Sequence, residues 1–186
     1  MIKNQRQGHL LAANPSNPQD HWSKSVILVV SHTATLSIGL QINHPIRDLD
    51  LRTVSNNLGI WCDVDEPVFY GGNIGSNKIH VVHSLDWSGL TTIPITEKIG
   101  VTNDISVIAA LSRDEGPEYF RACAGYWHWE ENQLDQQIEA RPENTLVRYR
   151  WESVPATIEN IFTGDSTDQW RRVLEESAKY QAANWF

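Results

Sequence analysis

The stretch from residue 125 to residue 135 constrains the fold of this chain more than any other part of the sequence. It follows an apolar segment, residues 120–124, and leads into a polar segment in which Leu134 and Ile138 have helical spacing. Its first half is a glycine followed by three large aromatic side chains and a histidine. The pattern predicts that a strand ends at Gly125, that the chain turns, and that a helix begins among the aromatic residues. Such a junction collects free backbone N–H groups and a partial positive charge, so we expect a binding site near it.

Strands and helices alternate irregularly along the rest of the chain. Residues 25–32 are apolar on both faces, which is typical of a central strand, and residues 38–43 and 145–151 also have strand patterns. Helix start and stop signals frame residues 48–58, and an apolar face with helical spacing begins near Ser166. Because no regular strand–helix alternation is present, the sequence favours an α+β fold over a doubly wound sheet.

Length and charge restrict the organisation of the chain and its partners. No linker divides the 186 residues, so we predict a single domain over residues 1–186 with ends that fray at 1–6 and 181–186. The net charge of −8 disfavours nucleic acid and anionic membranes as partners. A polar N-terminus and the lack of a long apolar segment indicate neither a signal peptide nor a transmembrane helix. We therefore expect a cytoplasmic protein.

The cysteines and histidines do not form a recognisable metal site. Cys62 and Cys123 lie in no C-x-x-C motif, so two buried reduced thiols are expected, with a disulfide as the alternative. His80 and His83 lie in an apolar segment with a strand pattern, where their side chains would point to opposite faces. No other pair has the spacing of a zinc site. The sequence therefore predicts no metal and no cofactor.

Residues 71–78 superficially resemble a phosphate-binding loop because they are rich in glycine. A phosphate loop must be followed by a helix, whose N-terminus completes the anion site. The next segment, residues 79–84, instead has the composition of a strand. We therefore interpret residues 71–78 as a glycine-rich connection between two strands.

Several segments, taken in order, resemble the AlgH/YqgE family of bacterial proteins. The aromatic stretch matches the family signature G-Y-A-G-W-x-x-G-Q-L-E at Gly125, Tyr126, Trp129, Gln133 and Leu134. Further matching segments extend over nearly the whole chain, at residues 8–15, 25–28, 38–45, 70–73 and 155–156, at His83 and Trp170, and at residues 161–162.

This resemblance implies a fold, and it implies little about biochemistry. The implied fold is an α+β domain with a branched, largely antiparallel sheet that curls into a pseudo-barrel with helices packed outside. Members of the family carry the label of transcriptional regulator, although their biochemistry is uncharacterised. This chain departs from the family at His44, Asn73, Asn132 and Asp135, and it has Trp127 and His128 where the family has its smallest residues. A pocket at that point would be narrowed or remodelled, which is typical of a divergent member.

Our first hypothesis is a binding or regulatory protein for an unknown small molecule or protein partner. The candidate ligand-binding residues are Asn43, Gly71, Gly72, His83, Arg121, Tyr126, Trp129 and Gln133. In this hypothesis Arg121 pairs with an anionic group, and Tyr126 and Trp129 provide a face for stacking or packing. The two glycines let a backbone segment approach closely.

Two alternatives belong to other functional classes. The first is a small hydrolase-like enzyme that uses His83 as a base, which requires a nucleophile or a metal near His83 that the sequence does not indicate. The second is direct DNA binding, for which the sequence offers no helix-turn-helix and the wrong charge. The oligomeric state is open.

Overall fold

The computed structural model of the protein describes residues 6–16, 21–139 and 151–183. Within these ranges the chain forms ten strands and five helices. The strands are β1 (His9–Ala13), β2 (Val26–His32), β3 (Leu36–Gln41), β4 (Pro45–Asp50), β5 (Pro67–Tyr70), β6 (Ile74–Ser84), β7 (Ile93–Pro94), β8 (Ile99–Thr102), β9 (Phe120–Glu130) and β10 (Trp151–Pro155). The helices are α1 (Leu51–Asn57), α2 (Ser106–Leu111), α3 (Gln133–Glu139), α4 (Ile158–Phe162) and α5 (Ser166–Ala183).

The strands form one branched sheet, and the branch point is β9. The main order is β10-β1-β2-β3-β9-β6-β8-β7, and β5 pairs with both β4 and β9. The pairing of β5 with β9 is parallel, whereas the other pairings between described strands are antiparallel. The sheet curls into a half-barrel accompanied by a few helices. The α+β fold with a largely antiparallel, curled sheet is therefore confirmed.

The predicted strand-to-helix junction at Gly125 is wrong. Strand β9 continues through Gly125 to Glu130, because its second half pairs with β3 from Gly39↔Trp127 to Leu36↔Glu130. The aromatic side chains therefore belong to a strand. The chain turns only at Asn132, which has a φ of 58°, and α3 follows it. Pairing with β3, a contact distant in sequence, outweighs the local turn signal of the glycine.

Gly125 instead interrupts the alternation of side chains along β9. Its φ of 74° lies in the left-handed region. Cys123 and Tyr126 lie three residues apart, yet both pack against the same hydrophobic cluster, which regular alternation would forbid. Trp129 packs against a different cluster. The side chains on the two sides of Gly125 can thus pack against different clusters of a strongly curled sheet.

Three hydrophobic clusters form the core. The α5 cluster joins Leu10, Leu28, Leu40, Val82 and Val101 of the sheet to Val173 of α5 and Ile161 of α4. The α2 cluster includes Val68, Val81, Val107, Ile108 and Leu111, and it also contains Leu51 of α1. The α3 cluster includes Leu11, Ile27, Trp129, Leu134 and Trp151. Helices therefore cover the sheet at three separate places.

Two further predictions from the sequence need adjustment. The helix predicted over residues 48–58 begins only at Leu51, because Pro45–Asp50 pairs with β5 as strand β4 and Asp50 then caps the helix through Thr53 N (2.6 Å). Residues 74–78, predicted as part of a connection, are the beginning of β6. The strand predicted over residues 145–151 lies outside the described residues except for Trp151.

Both cysteines are free and buried, as the sequence predicts. Cys123 is fully buried in strand β9, and burial raises the pKa of its thiol to about 12. Because both thiols are buried, we expect neither of them to react with Ellman's reagent in the native protein. Both should react in guanidinium chloride, as followed by absorbance. Rapid reaction of one thiol under native conditions would contradict this burial.

None of the described helices is long and apolar enough to cross a membrane.

Candidate functional site

A cavity of about 380 Å³ opens at the edge of the α5 cluster. Its apolar wall comes from β2, β3 and β8, and Tyr126 of β9 closes one side. Three hydrophobic residues of this wall, Val30, Leu40 and Val101, also belong to the α5 cluster. Within the described ranges the lining is Gln7, Val30, Ser31, Ile38, Leu40, His80, Thr91, Ile93, Val101, Thr102, Asn103 and Tyr126. A cavity of this size with a mainly apolar surface is typical of small-molecule sites.

His80 is the most unusual polar residue of this cavity. Its Nε2 is buried and has no hydrogen-bond partner within the described ranges. The ring of Tyr126 lies edge-on to it, with ring centroids 5.8 Å apart. Burial, supported by the positive charge of Lys78, lowers the pKa of His80 below its ordinary value. The imidazole is therefore neutral near pH 7 and has an unused polar nitrogen at the wall of an apolar cavity.

Three other polar residues of the lining, Thr91, Thr102 and Asn103, already have partners. The hydroxyl oxygens of Thr91 and Thr102 lie 2.9 Å apart, and the Thr91 hydroxyl also donates to Asn103 Oδ1 (3.3 Å). Thr102 Oγ1 accepts from the backbone N–H of Asp104 (3.1 Å). These bonds fix the loop before β7 to the end of β8. His80 Nε2 is thus the lining atom that is buried and has no hydrogen-bond partner among the described residues.

A second depression, of about 490 Å³, lies between the turn before β8 and the start of α4. Its lining includes the charged side chains Glu97, Lys98 and Glu159. Half of these residues are exposed, and no described side chain of this lining has a buried unpaired atom. It offers less to a specific ligand than the first cavity does.

Of the eight candidate residues, the structure places only Tyr126 in the lining of the cavity. Gly71 and Gly72 lie nearby, where the chain after β5 crosses β9. A Cβ atom at Gly71 would be 2.3 Å from Gly125 O, and one at Gly72 would be 2.0 Å from Tyr126 C. These glycines thus allow backbone to approach backbone closely, as expected from the sequence, and their part in binding a ligand stays a prediction.

Asn43 and Arg121 form internal contacts beneath the sheet. Asn43 Oδ1 accepts from Val26 N and its Nδ2 donates to Lys24 O, both at 2.8 Å. The Arg121 guanidinium donates to Ile42 O (2.6 Å) and to Gln169 Oε1 (2.8 Å), and it lies 4.6 Å from the centre of the Phe69 ring. Burial lowers the pKa of Arg121. Asn43 therefore fixes the segment after β3 to the start of β2, and Arg121 joins β9 to that segment, to β5 and to α5.

His83 is fully buried on the other face of β6 from His80, where its ring meets Trp87 edge-on at 5.2 Å. Its Nδ1 lies 2.9 Å from Ser84 O and its Nε2 lies 3.3 Å from Thr92 Oγ1. The neighbouring Ser84 hydroxyl donates to Asp86, so it is not paired with the histidine. Burial lowers the pKa of His83. A lowered pKa would suit a general base, but the ring has no exposed surface from which to reach a substrate.

Trp129 lies on the face of the sheet that α3 covers, and Gln133 is the first residue of α3. Trp129 is only 2% exposed, and its indole N–H donates to Gln137 Oε1 (3.1 Å). Gln133 Oε1 accepts from the backbone N–H of Glu130 (3.1 Å) and closes the turn before α3. The eight candidates are thus spread over four regions. Their role in ligand binding stays a prediction, which the geometry favours for Tyr126.

No group of three or more His, Cys, Asp or Glu side chains within the described ranges is arranged to hold a metal ion.

The sequence contains one signal for the cavity that the candidate residues do not include. His80 stands in an apolar strand with no partner of opposite charge beside it in the sequence. It enters the sequence analysis only as a possible metal ligand. The other lining residues come from β2, β3, β7, β8 and β9, from the segment before β1 and from two connecting segments, and no local pattern links these parts of the chain.

Comparisons with known proteins agree on one family. A family model described as AlgH-like matches residues 10–180. The chain is 30% identical over 178 residues to a UPF0301 protein of Shewanella woodyi, which covers 92% of this chain and 91% of that protein. It is 27% identical over 172 residues to a UPF0301 protein of Sphingopyxis alaskensis, with 91% and 88% covered.

Two solved structures share the fold. The solution structure of the AlgH protein from Pseudomonas aeruginosa matches with a TM-score of 0.72 and 23% identity, over 92% of this chain and 87% of that one. The crystal structure of protein DIP2367 from Corynebacterium diphtheriae matches with a TM-score of 0.70 and 20% identity, over 92% and 86%.

Proposed function

The chain belongs to the AlgH-like family, and on that premise we propose that it is a small-molecule-binding protein with its site in the cavity beside His80. The family has no established activity from which to argue, so the proposal depends on the geometry of this chain. The single observation that carries it is a buried histidine nitrogen, unpaired in the part of the chain that the structure describes, at the wall of a mainly apolar cavity. An unsatisfied buried polar atom costs free energy, and a ligand that pairs with it recovers that cost.

A binding or regulatory role has more support than catalysis. The hydrolase-like alternative requires that His83 reach a substrate, and this ring is fully buried with both nitrogens near protein oxygens. Direct DNA binding has no support from the net charge of −8. A cytoplasmic location, in which such a ligand would be a metabolite, is part of the proposal.

The proposal can be tested with a fragment library and a variant that fills the cavity. Ligand-observed NMR of the wild-type protein should identify fragments that bind. Ile38 lies in the cavity wall on β3, so Ile38→Trp should abolish binding of most of these fragments by occupying the space. Leu36 is two residues earlier on the same strand, is 39% exposed and is not part of the lining. Leu36→Trp is therefore the matched control and should retain them.

Two results would contradict the proposal. One is a wild-type protein that binds no fragment at all. The other is a set of fragments that binds Ile38→Trp as well as it binds Leu36→Trp, which would place the site elsewhere.

A further inference from the structure

Among the residues that the structure describes, the lining of the cavity has no formally charged side chain. None of its twelve residues is Asp, Glu, Lys or Arg, and its one titratable base is His80, whose pKa burial lowers. A charged group that entered the cavity would lose its hydration without gaining an ion-pair partner. An uncharged molecule pays no such penalty, and the apolar wall of Val30, Ile38, Leu40 and Val101 favours apolar surface.

The unpaired nitrogen of His80 adds a polar requirement. In a neutral imidazole one nitrogen donates and the other accepts, so Nε2 plays one role or the other according to the tautomer. A hydroxyl group can donate and accept, and it therefore satisfies Nε2 in either tautomer. The hydroxyls of Thr91 and Thr102 have partners of their own, so they do not compete for this nitrogen.

We infer that the cavity selects an uncharged, mainly apolar compound that carries a hydroxyl group, and that this hydroxyl hydrogen-bonds to His80. The inference rests on the proposed function, because it names the ligand class of the same cavity. Tyr126, edge-on to His80, contributes an aromatic wall beside the hydroxyl.

Three compounds that share one ring system test this inference, namely naphthalene, 2-naphthol and 2-naphthalenesulfonate. They differ only in the presence of a hydroxyl or an anionic group. Isothermal titration calorimetry gives the affinity of each. Shifts of the backbone amides of Val101 and Tyr126 in heteronuclear NMR spectra show that the compound occupies the cavity. We expect 2-naphthol to bind the wild-type protein roughly five- to tenfold more tightly than naphthalene, which corresponds to one net hydrogen bond. The sulfonate should bind most weakly.

Replacing the histidine isolates its contribution. His80→Phe keeps a ring of similar shape but removes the nitrogen, so 2-naphthol should lose its roughly five- to tenfold advantage over naphthalene. His128→Phe is the matched control, because His128 is exposed on β9 two residues from Tyr126 and is not part of the lining. It should retain the wild-type preference.

The outcomes separate the inference from the proposed function. If all three compounds bind in the cavity with similar affinity, or if the sulfonate binds best, the selectivity is refuted while the cavity remains a binding site. An unchanged preference for 2-naphthol in His80→Phe would remove His80 from the recognition. If none of the three binds the wild-type protein while other fragments still bind in the cavity, the inference fails and the proposed function stands; if no fragment of any kind binds, both fail.

Discussion

Replacing Gly125 by alanine is expected to lower the free energy of unfolding by about 3 kcal/mol, one of the two largest effects that we predict. Two causes add together. The φ of 74° at this position is unfavourable for any residue with a Cβ atom. The new Cβ would also lie 2.5 Å from Gly72 O and 2.9 Å from Ile74 O, and these are backbone atoms that cannot move alone. Strands β6 and β9 would have to separate at the point where Gly125 interrupts the alternation of side chains.

A second glycine of the same conformation separates the two causes. Gly59 follows α1 with a φ of 71°, and a Cβ atom there would have nothing within 4 Å. Gly59→Ala should therefore lose only the conformational part, about 1 kcal/mol. Urea unfolding of both variants measures the difference. Equal losses in the two variants would mean that the crossing of β9 with the Gly71–Gly72 segment adapts to a methyl group.

Replacing Arg121 by methionine is the second substitution with a large expected effect, a loss of about 2 kcal/mol. Methionine fills a similar volume, but it leaves Ile42 O and Gln169 Oε1 without the donor that lies 2.6 Å and 2.8 Å from them. Each buried acceptor left unpaired costs roughly 1–3 kcal/mol, and relief from burying the charged guanidinium offsets part of that cost.

Arg171 on α5 is a suitable control for Arg121. Arg171 pairs with Asp168 at 2.6 Å and with Glu175 at 2.8 Å, but its side chain is 60% exposed. Exposed ion pairs contribute little to stability, so Arg171→Met should leave the unfolding curve nearly unchanged. Thermal and urea unfolding of the two variants provide the comparison. If Arg121→Met were as stable as Arg171→Met, the anion-binding role predicted for Arg121 from the sequence would gain support.

The sequence determined the class of the fold because that information is local. The apolar run of β2 is buried through Val29, as a run without polar alternation indicates, and the helical spacing after Asp165 gives α5 with Val173 in the core. The alternation of side chains likewise placed His80 and His83 on opposite faces of β6. Each of these results follows from the spacing of residues within a few turns or one strand.

The tertiary structure decided where the strand β9 ends and where the cavity lies. The sequence around Gly125 has the composition of a turn, yet pairing with β3 extends the strand to Glu130 and moves the aromatic residues into it. Arg121 and His83 are of residue types that often form functional sites, and only the tertiary structure shows that both are buried. The cavity combines residues from distant strands because the sheet curls, and that curl depends on pairings between parts of the chain that no local pattern connects.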